Sequence, residues 1–185
     1  MLAGNIDMEC GTTTNSIQRQ QQVSFSTNYY ATEVRMAVKA NSTVKDLGDL
    51  NGKAVATTQG TTSDKYIKMG AKGEQVKVTN VYGKDHSDSF AMVASGRAAA
   101  FVMDDNILAG LIAKSSKPKD FKIVGPVLSS EPYGIMLPKG DTAYKAIADK
   151  VVTGMWKNGQ MAALYKKWFQ SPIPPKNINL NMPMS

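Results

Sequence analysis

The sequence predicts an α/β fold. A short, largely β-branched run, Ala54-Val55-Ala56-Thr57-Thr58, leads straight into Gln59-Gly60-Thr61-Thr62-Ser63 and an apparently helical stretch, the order of strand, tight turn and helix. The alternation recurs downstream, with strands at Val76–Val81, Ala98–Met103 and Phe121–Val124 separated by helices at Ser87–Ser95 and Asn106–Ala113. Strands and helices alternating in this way point to a mostly parallel sheet covered on both faces. Composition agrees: 185 residues, 42% apolar and 20% charged, describe an ordinary globular chain and exclude a disordered one.

The remaining elements follow in chain order. Asn5 to Ser26 is polar, a threonine-rich loop from Cys10 to Asn15 running into a short helix from Ser16 to Gln22, because hydroxyl residues cap helix starts and Gln and Arg favour helix. Val34–Val38 is a candidate strand. Thr43–Lys53 opens on a capping threonine and closes on Asn51-Gly52, the pattern of a helix of one or two turns. The turn after Ala54–Thr58 feeds a helix over Asp64–Met69. Ser130–Leu137 reads as an extended return segment, and Asp141–Asn158 and Gly159–Phe169 as two amphipathic helices meeting near Gly159. From Ser171 the prolines impose an extended strap or a loose end. Trp156, Tyr165, Trp168 and Phe169 are expected to pack, and Cys10 to be a small buried residue.

The formal charge of +7 permits an acidic small molecule, nucleic acid or an anionic membrane as partner. The lysines are dispersed, with no run of five like charges, which argues against a nucleic-acid arm. One cysteine excludes an internal disulfide and a cysteine-based metal cluster. No stretch approaches the roughly 20 apolar residues of a membrane span, and Met1–Gly4 lacks the character of a secretion signal.

Several positions carry candidate chemistry, each with a plainer alternative. Gly60-Thr61-Thr62 stands where backbone N–H groups and two hydroxyls converge at a helix start, an anion cradle or simple capping. Arg19 lies about a turn beyond Thr12-Thr13-Thr14, so a guanidinium fork and hydroxyls can meet a carboxylate, or Arg19 is a solvated helix arginine. His86, the single histidine, sits at a loop-to-helix junction as a ligand group or a surface or capping residue. Asp104-Asp105 closes a strand at its carboxyl end, where parallel sheets place ligands, unless Asp105 merely caps the next helix. The aspartates lack the spacing of a calcium loop, no second histidine or cysteine pair offers a zinc site, and no nucleophile elbow accompanies His86. No cofactor, metal or catalytic residue is therefore expected.

These stretches, together with Asn5–Asn15, Lys84–Phe90, Ser95–Ala98, Met103–Asp105 and Trp168–Asn177, resemble the polar amino-acid family of periplasmic solute-binding proteins of ABC importers, most closely its glutamate/aspartate-binding members. The resemblance implies a type II periplasmic-binding-protein-like fold of two α/β lobes closing on an amino acid. It divides the chain into a complete lobe two, 36–130, and an incomplete lobe one, 1–35 with 131–185. Family members normally begin with a further ~80–100 residues carrying the first βα units of lobe one, so weak ligand binding and self-association through an exposed lobe-one surface are expected. By position, Arg19 takes the ligand α-carboxylate with Thr12, Thr14 and the Thr61/Thr62 turn, Asp104 the α-ammonium, and His86 the side-chain carboxylate. The resemblance further implies a periplasmic location, ABC permease subunits as partners and no enzymatic activity. Alternatives are a dehydratase of cyclohexadienyl acids on the same fold and the ligand-binding module of a receptor.

Overall fold

A computed structural model describes residues 1–73, 76–173 and 177–183, with backbone alone for 69–73. The chain divides into two compact units, residues 33–130 and residues 1–32 with 131–185.

The unit of residues 33–130 is built on a five-stranded sheet in the order β4-β3-β5-β2-β6. Its strands are β2 (Tyr30–Lys39), β3 (Ala54–Thr58), β4 (Thr79–Gly83), β5 (Ala100–Asp104) and β6 (Phe121–Tyr133), the first and last of which cross the unit boundary. Strands β4, β3 and β5 are mutually parallel, with Thr58 opposite Gly83 and Ala56 opposite Phe101. The sheet is nevertheless mixed, because β2 runs antiparallel to β5 with Val34 opposite Asp104. Helices α2 (Thr62–Gly73), α3 (His86–Ala94) and α4 (Asp105–Lys114) are the crossovers. The alternation of side chains along each strand sorts the core into two faces. Val34, Met36, Val38, Val55, Val102 and Ile67 fill one. Ala37, Ala56, Phe101, Met103, Phe90 and Leu108 fill the other.

Several boundaries differ from those the sequence predicts. Thr43–Lys53 forms only a short 3-10 turn at Gly48–Leu50. Asp49 accepts from the N–H groups of Lys45 and Asp46 at 2.7 and 3.4 Å, and Asp46 from that of Asp49 at 3.2 Å, so carboxylates occupy donors an α-helix would use. The fourth strand starts at Thr79 rather than Val76, since the 77 region is tied to a turn by Gly52 N–H to Lys77 C=O at 2.6 Å and Lys77 N–H to Asn51 Oδ1 at 2.9 Å. Helix α2 begins two residues earlier than expected, at Thr62, and β6 absorbs both the Phe121–Val124 strand and the start of the return segment.

The other unit has a smaller scaffold. Strands β1 (Ser24–Phe25) and β7 (Met136–Leu137) pair antiparallel, and the chain from Glu9 to Thr14 lies along the return segment through bridges Glu9 to Met136 and Thr14 to Tyr133. Helices α1 (Ile17–Gln20), α5 (Thr142–Lys157) and α6 (Gln160–Phe169) complete it. Asp141 caps α5 by accepting from Tyr144 N–H at 2.9 Å. Tyr30 stacks against Tyr165 and Phe169, with centroids 5.9 and 5.3 Å away. The tail folds back on α6, Met182 N–H meeting Phe169 C=O at 3.2 Å and Asn179 Nδ2 meeting Gln170 C=O at 3.1 Å. Pro174, Pro175 and Lys176 of the expected strap lie outside the described residues. Two packing expectations fail: Trp156 and Trp168 are 40% and 46% exposed, and Cys10 is exposed.

Candidate functional site

In the unit of residues 33–130 the predicted residues gather at the carboxyl ends of three adjacent parallel strands, where open α/β sheets receive ligands. Strand β3 ends at Thr58 and turns through Gly60, whose φ of +80° a side chain would strain. Thr61 is engaged internally: its hydroxyl donates to Thr58 C=O at 2.8 Å and accepts from Asp64 N–H at 3.3 Å, closing the first turn of α2. Thr62 Oγ1 and the N–H groups of Thr62 and Ser63 have no protein partner among the described residues. Thr62 is therefore better placed than Thr61 to offer donors to an anion.

Asp64 holds this turn against the next strand, accepting from Tyr82 Oη at 3.0 Å and pairing with Lys68 at 2.9 Å. Asp104 ends β5 at 3% exposure, with Ser63 Oγ 3.5 Å from its Oδ1. It occupies the cap position of α4 without capping it through its side chain. Asp105, the capping candidate in the sequence, instead accepts from Glu33 N–H at 3.4 Å.

His86 opens α3 behind Asp85, which caps that helix by accepting from Asp88 N–H at 2.8 Å. Its Nδ1 lies 2.9 Å from Thr58 Oγ1. Burial of the ring holds its pKa below the ordinary 6.5, a shift opposed by the negative charge of Asp85. Sequence reasoning missed Thr58 and Ser89, whose hydroxyls lie 3.0 Å apart. The signal available was Thr58 itself, the last hydroxyl before the glycine turn.

In the other unit, Arg19 sits in the four-residue α1 and donates from Nη1 to Thr14 C=O at 3.0 Å. Thr14 is buried beside Tyr133, Thr12 is exposed, and the rest of the Arg19 fork has no partner among the described residues. A guanidinium with spare donors suits a carboxylate. Two cavities, of about 580 and 380 Å³, are lined by other residues: one at Ala163, Lys166, Lys167 and Trp168, the other around Lys39 and Phe121.

Comparison with known proteins bears on the family and the fold. The profile of the bacterial extracellular solute-binding proteins, family 3, matches residues 1–171. The chain is 45% identical over 182 residues to an L-glutamate/L-aspartate-binding protein of Pseudomonas aeruginosa and 41% identical over 182 residues to a glutamate/aspartate import solute-binding protein of Escherichia coli. Each match covers 98% of this chain and 60% of the relative, so the chain spans about 60% of the length of these proteins. Among solved structures, an ancestral arginine-binding protein bound to arginine superposes with a TM-score of 0.80 at 34% identity, covering 91% of this chain and 74% of the other. The fold is that of the type II periplasmic amino-acid-binding proteins. The chain belongs to family 3 of the bacterial extracellular solute-binding proteins.

Proposed function

We propose that the chain acts as the amino-acid-binding component of an ABC importer and takes L-glutamate or L-aspartate. One observation carries this: the strand ends of residues 33–130 gather an imidazole, a buried carboxylate and the unfilled donors of a helix start. Asp104, a carboxylate at the end of β5, carries the negative charge that suits an α-ammonium. His86 suits a side-chain carboxylate. The Thr61–Thr62 turn, and in the other unit Arg19 with Thr12 and Thr14, suit an α-carboxylate. By charge His86, Asp104 and the Thr61–Thr62 turn of residues 33–130 already complement a molecule with two negative ends and one positive. The names of the relatives support the same ligand class.

These groups serve as charge partners rather than reacting groups, so the chain is a binding protein and not an enzyme. A dehydratase of cyclohexadienyl acids would need a general acid over a leaving group. The expected setting is the periplasm, with the importer's permease subunits as partners and no nucleic acid. Among the described residues no helix is long and apolar enough to cross a membrane.

Calorimetry with L-glutamate, L-aspartate, L-glutamine, L-arginine and prephenate tests the assignment. The two acidic amino acids are expected to bind competitively, and Asp104→Asn to lower their affinity at least tenfold, the scale of a lost charge-assisted pair. Preference for L-arginine, or turnover of prephenate, would overturn it.

A second proposal concerns self-association. Ile147 and Val151 on α5, and Leu164 and Trp168 on α6, each four apart, form exposed apolar stripes in the unit of residues 1–32 and 131–185. Stripes of this kind favour pairing with a second copy of the chain.

A further inference from the structure

His86, Thr58 and Ser89 form a chain of contacts whose direction is set by counting hydrogens. His86 Nδ1 lies 2.9 Å from Thr58 Oγ1, and Thr58 Oγ1 lies 3.0 Å from Ser89 Oγ. Ser89 Oγ lies 3.1 Å from Thr57 C=O and 3.0 Å from Asp85 C=O. Ser89 and Thr57 are fully buried. The packing is tight because residue 83 is glycine, where a Cβ would fall 2.6 Å from Ser89 Oγ.

Carbonyls only accept, so they take the single Ser89 hydrogen between them. The hydrogen between Ser89 and Thr58 must then come from Thr58. Thr58 has spent its only hydrogen, and the contact with His86 is filled by Nδ1–H. Reversing the chain would leave the buried Ser89 Oγ 3.1 and 3.0 Å from two carbonyl oxygens with no hydrogen between them, lone pair against lone pair, although Asp85 C=O also takes the Ser89 N–H at 3.1 Å.

We propose that Thr58 and Ser89 are positioning residues that lock neutral His86 with its hydrogen on Nδ1, and that this lock makes the choice between acid and amide ligands depend on proton uptake. The second half rests on the assignment of His86 to the ligand side chain. Nε2 has no partner among the described residues. In the locked neutral ring Nε2 carries a lone pair, which repels a carboxylate and accepts from an amide N–H. To hold a carboxylate, Nε2 takes one proton from solvent; an N–H bond forms, the ring becomes imidazolium, and nothing else changes. An amide ligand needs no proton.

Titratable or charged groups on the surrounding elements include Tyr82 and Lys84 around the end of β4, Asp85 and Asp88 at the start of α3, Asp64, Lys65, Tyr66 and Lys68 on α2, and Asp104 and Asp105 at the β5–α4 junction. Of these, Asp85 is the one whose charge bears on the ring, and burial outweighs it to favour the neutral form. Affinity for an acidic amino acid therefore falls about tenfold per pH unit above the free-ring pKa, while affinity for L-glutamine does not.

His86 is the one histidine in the chain, so its ring nitrogens give a single set of long-range 1H–15N NMR correlations. In the full chain without ligand, the neutral ring is expected to carry its hydrogen on Nδ1. Ser89→Ala frees the Thr58 hydrogen to turn toward the ring and moves the imidazole hydrogen to Nε2, as does Thr58→Val, whereas Thr58→Ser keeps the Nδ1–H form. With L-glutamate the imidazolium persists to higher pH, and both shifted variants lose the tenfold-per-unit dependence. A wild-type neutral ring with hydrogen on Nε2, or a folded Ser89→Ala chain with an unchanged tautomer, would overturn the lock. The expected tautomers with no response of His86 to L-glutamate or L-aspartate would overturn the ligand half alone.

Discussion

The two units hold their candidate groups by different means. In the unit of residues 33–130, Thr58, His86 and Asp104 stand on or beside strands whose flanks are buried on both faces, with Phe101, Val102 and Val55 fully enclosed. In the unit of residues 1–32 and 131–185, Arg19 stands on a four-residue helix with no buried residue, tied to its neighbour Thr14 by one backbone bond. A site on a packed sheet is placed by the core, whereas a site on a short helix is placed by a few hydrogen bonds. The first should keep its geometry under perturbation better than the second.

The largest test of this contrast removes core. Phe101→Ala should destabilise the unit of residues 33–130 by about 3–5 kcal/mol, read by urea unfolding. At concentrations too dilute for self-association, Val151→Ser, on the exposed stripe of α5, should change stability by less than about 0.5 kcal/mol. Light scattering should show the same variant shifted from a self-associated species toward monomer. An unchanged mass, or a wild type that is already monomeric, would remove the second-copy proposal.

A smaller pair of tests uses pH, because each unit has its own titrating group. Tyr29 in the unit of residues 1–32 and 131–185 has its pKa pushed up to about 12 by burial first, then by the charges of Glu9 and Cys10. The folded state holds that proton more tightly than the unfolded chain, whose tyrosine ionises near 10, so stability is full below that value and falls as pH rises through the folded one. Tyr29→Phe should remove the alkaline step seen in phenolate absorbance. His86 behaves oppositely. Its folded pKa lies below 6.5, so the unfolded chain binds more protons on acidification, and stability is lost as pH falls from about that value. His86→Gln should flatten the acid limb in the unit of residues 33–130 and leave the alkaline step intact.

The legibility of the sequence followed the same division. The strand–turn–helix order around Gly60 could be read directly, because a β-branched run followed by a glycine-hydroxyl turn admits few local structures. Thr43–Lys53 could not, because Asp46 and Asp49 compete for backbone donors and a capping threonine does not report that competition. The antiparallel run of β2 was hidden too, since strand direction depends on pairing across the chain rather than on local pattern. Exposure of Cys10 and Trp168 depends on what packs over them, which periodicity does not encode. The relay from His86 through Thr58 to Ser89 joins positions 28 and 31 residues apart. It depends on the register that sets Thr58 opposite Gly83, and no spacing rule brings those hydroxyls together.

The most direct measurement follows the His86 ring and the Thr62 and Asp104 amides of the full chain by NMR as L-glutamate is added. If the strand ends of residues 33–130 receive an acidic amino acid, the three sets of signals move together, saturate with one constant, and need about tenfold or more L-glutamate to do so in Asp104→Asn. Signals that stay still while millimolar L-glutamate binds elsewhere, or that move independently of one another, would contradict the account.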